Sequence, residues 1–147
     1  MYKRILVATD GSKLSQKAVD HALALADLSG AEVVALKVTP RYPQSYFEGG
    51  VALAAAEVGR IEKQWQQEAL DVVNAVKAAG QKREVKVKAI TAKSDLVSDA
   101  IISAAKRQKC DLIVMASHGR KGLKRLLLGS ETTQVLTHSH IPVLVLR

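Results

Sequence analysis

Two short stretches hold the residues whose types and spacing could do chemistry. The longer is Met115-Ala116-Ser117-His118-Gly119-Arg120-Lys121-Gly122-Leu123-Lys124-Arg125-Leu126-Leu127-Leu128-Gly129-Ser130-Glu131-Thr132. It continues an apolar run, Leu112 to Met115, that reads as a buried strand. Small residues let a backbone come close to a ligand. Ser130 opens a new helical pattern, and a helix start offers a hydroxyl and backbone N–H groups to an anion such as phosphate. Four cations, Arg120, Lys121, Lys124 and Arg125, lie between Gly119 and Gly129. The shorter stretch is Thr9-Asp10-Gly11-Ser12, at the end of the apolar run that begins at Ile5.

These residue types admit two uses. One is a phosphate cradle. The other is an ordinary strand-to-helix connection with a solvated basic face. Asp10 is open to the same choice, as a ligand contact or as a cap for the helix after it. Its position at the end of a central strand favours the ligand. His118 beside a glycine reads as structural rather than as an acid–base group. His138 and His140 have no carboxylate or Cys beside them and read as surface residues rather than metal ligands. The single Cys, Cys110, precedes an apolar strand and reads as structural. No Gly-rich loop ending in Gly-Lys-Ser/Thr, no nucleophile elbow and no Ser-His-Asp arrangement can be placed.

The elements that must position these residues follow from periodicity. Ile5 to Thr9 is a first strand. Lys13 to Ser29 has Leu14, Ala18, Ala22, Leu25 and Ala26 at helical spacing and is stopped by Gly30. Glu32 to Val38 is a second strand. Residues 40–50 hold two prolines, two glycines and three aromatic residues and form the longest irregular segment. A long helix is expected from about Ala52 to Ala79, with Ile61, Trp65, Ala69, Val72 and Val76 as its apolar stripe and Gly80 ending it. Gly59 marks a kink or boundary, and Trp65 reads as a core anchor. Val85, Val87 and Ala89 alternate with polar residues in a half-buried edge strand. Ser94, Asp95 and Ser98 compete to cap a third helix carrying Val97, Ala100, Ile101, Ala104 and Ala105. Asp111 to Met115 is a fourth strand. Ser130 to His138 is a short helix with Val135 and Leu136 inward, and Ile141 to Leu146 a fifth strand.

Strands with continuous apolar runs, alternating with helices, imply a mostly parallel sheet covered on both faces. Ligands of such sheets bind beyond the carboxyl ends of strands, where the strand order reverses. Both chemistry-bearing stretches lie at carboxyl ends. A chain of 147 residues is most simply one domain, residues 1–147, long enough to bury a core. With one Phe, one Trp and three Tyr, that core is aliphatic. The net charge of +8 is spread along the chain without interleaved aromatics, so a nucleic-acid partner is not expected. No apolar run is long enough for a membrane helix, and no leader pattern precedes the first strand. One Cys fits a reducing, cytoplasmic setting.

The stretch from Ala116 to Ser130, with Asp10 after the first strand, resembles the universal stress protein family. Element order, length, the long second helix and the closing Pro142-Val143-Leu144-Val145 strand extend the resemblance over the whole chain. The family motif is a glycine, two residues, a glycine, nine residues, then Gly-Ser or Gly-Thr. Here the second glycine is Gly119, the spacer Arg120 to Leu128 and the end Gly129-Ser130. Gly122 stands outside this register. The first motif glycine falls on Ala116, one methyl larger.

The resemblance implies a three-layer α/β/α open sheet of five mostly parallel strands, of the Rossmann-like, adenine-nucleotide α-hydrolase-like class. It implies ATP, or another adenine nucleotide, with Mg or Mn. Asp10 would meet the ribose or a metal–phosphate group, Val38 would offer backbone groups to adenine, and Ala8 and Thr9 would line its pocket. Gly119, Gly129, Ser130 and the Glu131 N–H would cradle phosphates, with Met115, Ala116, Ser117, His118, Arg120 and Thr132 completing the site. It also implies a homodimer in which Val143 to Leu146 pairs with its two-fold mate. The expected function is a stress-response protein that acts by nucleotide-dependent binding. The alternatives are a slow ATPase or autophosphorylating enzyme, and a nucleotide-free dimeric interaction module.

Overall fold

The structure, a computed structural model, describes residues 1–42, 55–119 and 128–147. Among the described residues nine elements alternate: β1 (Arg4–Ala8), α1 (Lys13–Ser29), β2 (Glu32–Thr39), α2 (Ala55–Lys82), β3 (Val87–Lys93), α3 (Val97–Arg107), β4 (Leu112–Ala116), α4 (Ser130–His138) and β5 (Val143–Leu146). All sheet pairings are parallel, in the order β3-β2-β1-β4-β5. Strand order therefore reverses between β1 and β4, where Ile5, Leu6 and Val7 pair with Leu112, Ile113 and Val114.

Two aliphatic layers sandwich this sheet, as alternation along each strand requires. Ile5, Val7, Val33, Ala35 and Val114 point to the layer built by α1 and α2, with Ala18, Ala22 and Val73 among its members. Leu6, Val34, Leu36, Ile113 and Met115 point to the layer under α3 and α4, with Ile101, Ala105 and Val135. Each fully buried Val, Leu or Ile contributes roughly 1.5–3 kcal/mol through removal from water.

Local signals explain the bounds of α1. Ser12 caps α1 by accepting the Ser15 N–H at 3.2 Å, and Gly30 closes it in the left-handed conformation at φ 73°. The α1 stripe is deeper than its spacing suggested. Ser15, Val19 and Leu23 are buried, while Leu14 and Leu25 are only half-buried. The fourth helix has the expected bounds, but Leu136 points outward at 42 % exposure and Val135 alone of the two is inside.

Several expectations are corrected. Gly80 does not end α2, which runs on to Lys82. It is buried, and a Cβ there would lie 2.3 Å from Val87 Cγ2 and 3.0 Å from the Val85 carbonyl oxygen. Gly80 thus serves the contact of helix with strand rather than a helix stop. Val73, not Val72, is fully buried, because the sheet selects a face turned by one residue. Trp65 is half-buried and belongs to neither aliphatic layer. None of Ser94, Asp95 and Ser98 caps α3, whose N-cap position is Leu96 with no side-chain cap. The expected kink at Gly59 lies inside an unbroken α2, and β5 starts at Val143 rather than Ile141. The first part of the expected long helix, from Ala52, lies outside the described residues.

Candidate functional site at the reversal of strand order

The end of β1 is organised by short polar contacts. The Asp10 Oδ1 accepts the Ser12 N–H at 2.9 Å, so Asp10 shapes the turn before α1, and Ser12 does the capping. Thr9 is buried, shares a hydrogen bond with Ser15 Oγ at 3.1 Å and accepts the Gly11 N–H at 3.2 Å. Its side chain is thereby committed to the protein. Gly119 lies directly against Asp10: a Cβ on Gly119 would sit 2.7 Å from Asp10 Oδ2. The stretches after β1 and β4 are therefore in contact.

The end of β4 is clasped to the start of α4. The Gly129 N–H donates to the Ser117 carbonyl at 2.7 Å, and Thr132 Oγ1 donates to the Ala116 carbonyl at 2.9 Å. A Cβ on Gly129 would meet the Ser117 oxygen at 3.2 Å and His118 Cα at 3.3 Å, so only glycine fits without displacement. Ser130 is then the first residue of α4, and the first backbone N–H groups of a helix have no partner within it. The helix dipole adds partial positive charge at that place.

Ala116 and Ser117 are buried, and His118 Nδ1 lies 3.2 Å from Ser117 Oγ. Met115 points into the α3/α4 layer, and Ala8 and Val38 are half-buried against the same layer. The Glu131 side chain turns away to α3, where its Oε2 accepts the Ser98 N–H at 3.1 Å. The structure thus brings Asp10, Ser117, His118, Gly119, Gly129 and the start of α4 together. Val38 stands apart, at the end of β2 on the far side of β1. Arg120, Lys121, Gly122, Lys124 and Arg125 lie outside the described residues.

A cleft of about 690 Å³ opens on the other side of Asp10, toward α2. Lys37, Thr39, Trp65, Glu68 and Val72 line it. A smaller one of about 300 Å³ adjoins it, sharing Thr39, Pro40 and Trp65. Trp65 stacks on Tyr42 with ring centroids 6.0 Å apart. At the rim, Lys93 pairs with Glu62, and that contact holds the Glu62 carboxyl below its ordinary range. Sequence reasoning missed this cleft. Only the alternation of Lys37 and Thr39 with Val38 signals a polar face there.

Among the described residues no group of three or more His, Cys, Asp or Glu could hold a metal ion. Burial raises the Cys110 thiol to about 11, which keeps it protonated and unreactive near neutral pH. Among the described residues no helix is long and apolar enough to cross a membrane.

The profile of the universal stress protein family matches residues 1–147. The chain belongs to the universal stress protein family. It is 34% identical over 147 residues to universal stress protein MJ0531 of Methanocaldococcus jannaschii, covering 100% of this chain and 83% of the relative. The solved structure of MJ0577, from the same archaeon, superposes with a TM-score of 0.82 at 31% identity, over 99% of this chain and 96% of that one. A universal stress protein solved in complex with cAMP has the same fold, with a TM-score of 0.72 at 24% identity, over 99% of this chain and 97% of that one. The five-stranded parallel sheet with helices on both faces is the Rossmann-like fold of these universal stress proteins.

Proposed function

We infer that this universal stress protein binds an adenine nucleotide, ATP in the first instance, at the carboxyl ends of β1 and β4. It acts through nucleotide-dependent binding, as a single-domain cytoplasmic protein. The observation that carries this reading is the paired close approach at Gly119 and Gly129. The first brings the β4 loop against Asp10, and the second sets the start of α4 beside Ser117 and His118. A helix start next to small residues suits phosphate oxygens, which accept several N–H groups at once. Ala116 keeps only 8% exposure and its carbonyl is bonded to Thr132, so its extra methyl has little surface to present to a ligand.

In this reading the N–H groups of Ser130 and Glu131 hold phosphates beside Gly119, Gly129 makes the close turn before them with its own N–H on Ser117, and Thr132 fastens α4 to Ala116. Arg120 adds charge, Ala8, Thr9 and Val38 lie toward the base, and Met115 supports the strand. Asp10 contributes one carboxylate to the ribose or to a divalent cation. Such a cation would arrive with the phosphates, since phosphate oxygens and water supply most ligands of Mg in sites of this kind. A cAMP complex of the same fold is consistent with an adenine nucleotide. The β5 edge supports a homodimer through Val143 to Leu146: it is the last strand of the sheet, and Leu144 is 39% exposed.

Calorimetric titration with ATP and magnesium tests the reading. Binding that is lost in Asp10→Ala is the expected result. Absence of both heat and thermal shift at millimolar ATP overturns it.

A further inference from the structure

The third and fourth helices cover one face of the parallel sheet, so their N-termini lie side by side. At the start of α3 the N-cap position is Leu96, a residue with no acceptor in its side chain. Ser94 Oγ accepts the Leu96 N–H at 3.1 Å, one step too early to serve the helix. The N–H that a cap normally satisfies is that of the second or third helical residue. In α3 the second residue is Ser98, and its N–H is taken by Glu131 Oε2 at 3.1 Å. The missing cap of α3 is thus supplied by another helix, from 33 residues away.

Glu131 is itself the second residue of α4. A carboxylate in the first turn of a helix is ordinarily drawn to the N–H groups of its own helix. Here that charge is held on α3 instead. This takes the Glu131 carboxylate off the start of α4, whose first residue is Ser130. We propose that Glu131 is a positioning residue: its bond to Ser98 keeps its own carboxylate away from the anion-receiving end of α4 and so sets the preference for phosphorylated over unphosphorylated ligands. The inference rests on the nucleotide reading above.

Two substitutions separate charge from reach. Glu131→Asp keeps the charge but shortens the arm by one methylene, so it cannot reach Ser98, and the carboxylate settles on α4. Glu131→Gln keeps the arm and an acceptor oxygen but removes the charge. Both residues are compatible with an exposed helical first turn, so both variants fold. The measurement is the ratio of ATP to adenosine affinity by calorimetry, with Ser98 amide exchange followed by NMR.

In Glu131→Asp the ratio falls about threefold to tenfold, as for a misplaced charge at a helix end, and Ser98 exchanges faster. In Glu131→Gln, Ser98 stays protected and the ratio rises about twofold by the same electrostatic argument. High salt shrinks both changes. Wild-type protein that binds ATP, with a ratio unchanged in Glu131→Asp, overturns the proposal alone. Equal ratios in Asp and Gln variants, both lowered, assign Glu131 a purely structural part and also overturn it. Wild-type protein that binds no ATP overturns the nucleotide reading and the proposal with it.

Discussion

The two ends of the same strands are built on different principles. At the amino ends of β1, β2 and β4, charges are paired off. Arg4 bridges to Glu32 at 3.0 Å, Lys86 reaches the same carboxylate at 3.3 Å, and Asp111 accepts the Lys3 and Arg4 N–H groups at 2.8 and 3.1 Å. At the carboxyl ends of β1 and β4, the strands are joined by glycines, hydroxyls and backbone groups around one carboxylate, Asp10. The amino end spends its polar groups on the protein itself. The carboxyl end includes the start of α4, whose first N–H groups have no partner within the helix. The paired charges and the proposed site therefore lie at opposite ends of the same strands.

The largest expected effect breaks the amino end. Gly80→Val puts methyl groups into Val87 and the Val85 carbonyl, which costs about 3 kcal/mol through overpacking. Thermal unfolding shows this as a Tm lower by roughly 6–12 °C for a chain of this size. The ATP affinity of the folded fraction is unchanged. Gly119→Ala tests the other end. Its methyl displaces Asp10 Oδ2, and calorimetry gives an ATP affinity about tenfold weaker, or ~1.4 kcal/mol. Chemical denaturation of the same variant stays within about 0.5 kcal/mol of wild type. Equal stability losses in the two variants would erase the division between the ends.

The smallest effect is a pH dependence at the amino end. Glu32 is held below its ordinary pKa of 4.5, by its hydrogen bond to Lys86 first and by Arg4 second. A carboxylate with a lowered folded pKa adds stability above its ordinary pKa and loses it as pH falls through the folded value. Denaturation of wild type and Glu32→Gln, compared at about pH 7 and about pH 3, shows a difference at the higher pH that closes at the lower. Screening of these exposed charges keeps it small.

What could be read from the chain beforehand divides along physical lines. The start and end of α1 and the start of α4 are legible because they are set by neighbours in sequence: the Asp10-Gly11-Ser12 stretch and Gly30 for one, Gly129-Ser130 for the other. The alternation of nine elements is legible because each buried face repeats with its own period. Gly80 was misread because the same residue type that ends helices also permits close packing, and only the position of β3 decides between them. Val73 was missed for Val72, and Leu136 was turned inward, because two adjacent apolar residues leave the face ambiguous.

At the site, Gly119 lies against Asp10, and Gly129 lies against Ser117 and His118. The capping role of Ser12, the bond from Glu131 to Ser98 and the cleft beside Trp65 were not legible. The last two depend on residues brought together by packing of whole helices. Nothing in local spacing signals them.

The central strand has a consequence for how the chain reaches its final form. Strand β1 pairs with β2 about 28 residues on, but its other edge waits for β4, more than 100 residues away, with Asp111 fastening Lys3 and Arg4 across that interval. During synthesis β1, α1, β2, α2 and β3 can assemble while one edge of β1 still exposes unpaired amides and carbonyls. At translation rates of about 5–20 residues per second, that edge stays open for several seconds. A strand of such apolar residues, Ile5, Leu6 and Val7, is then most open to wrong pairing, and the arrival of β4 ends the hazard.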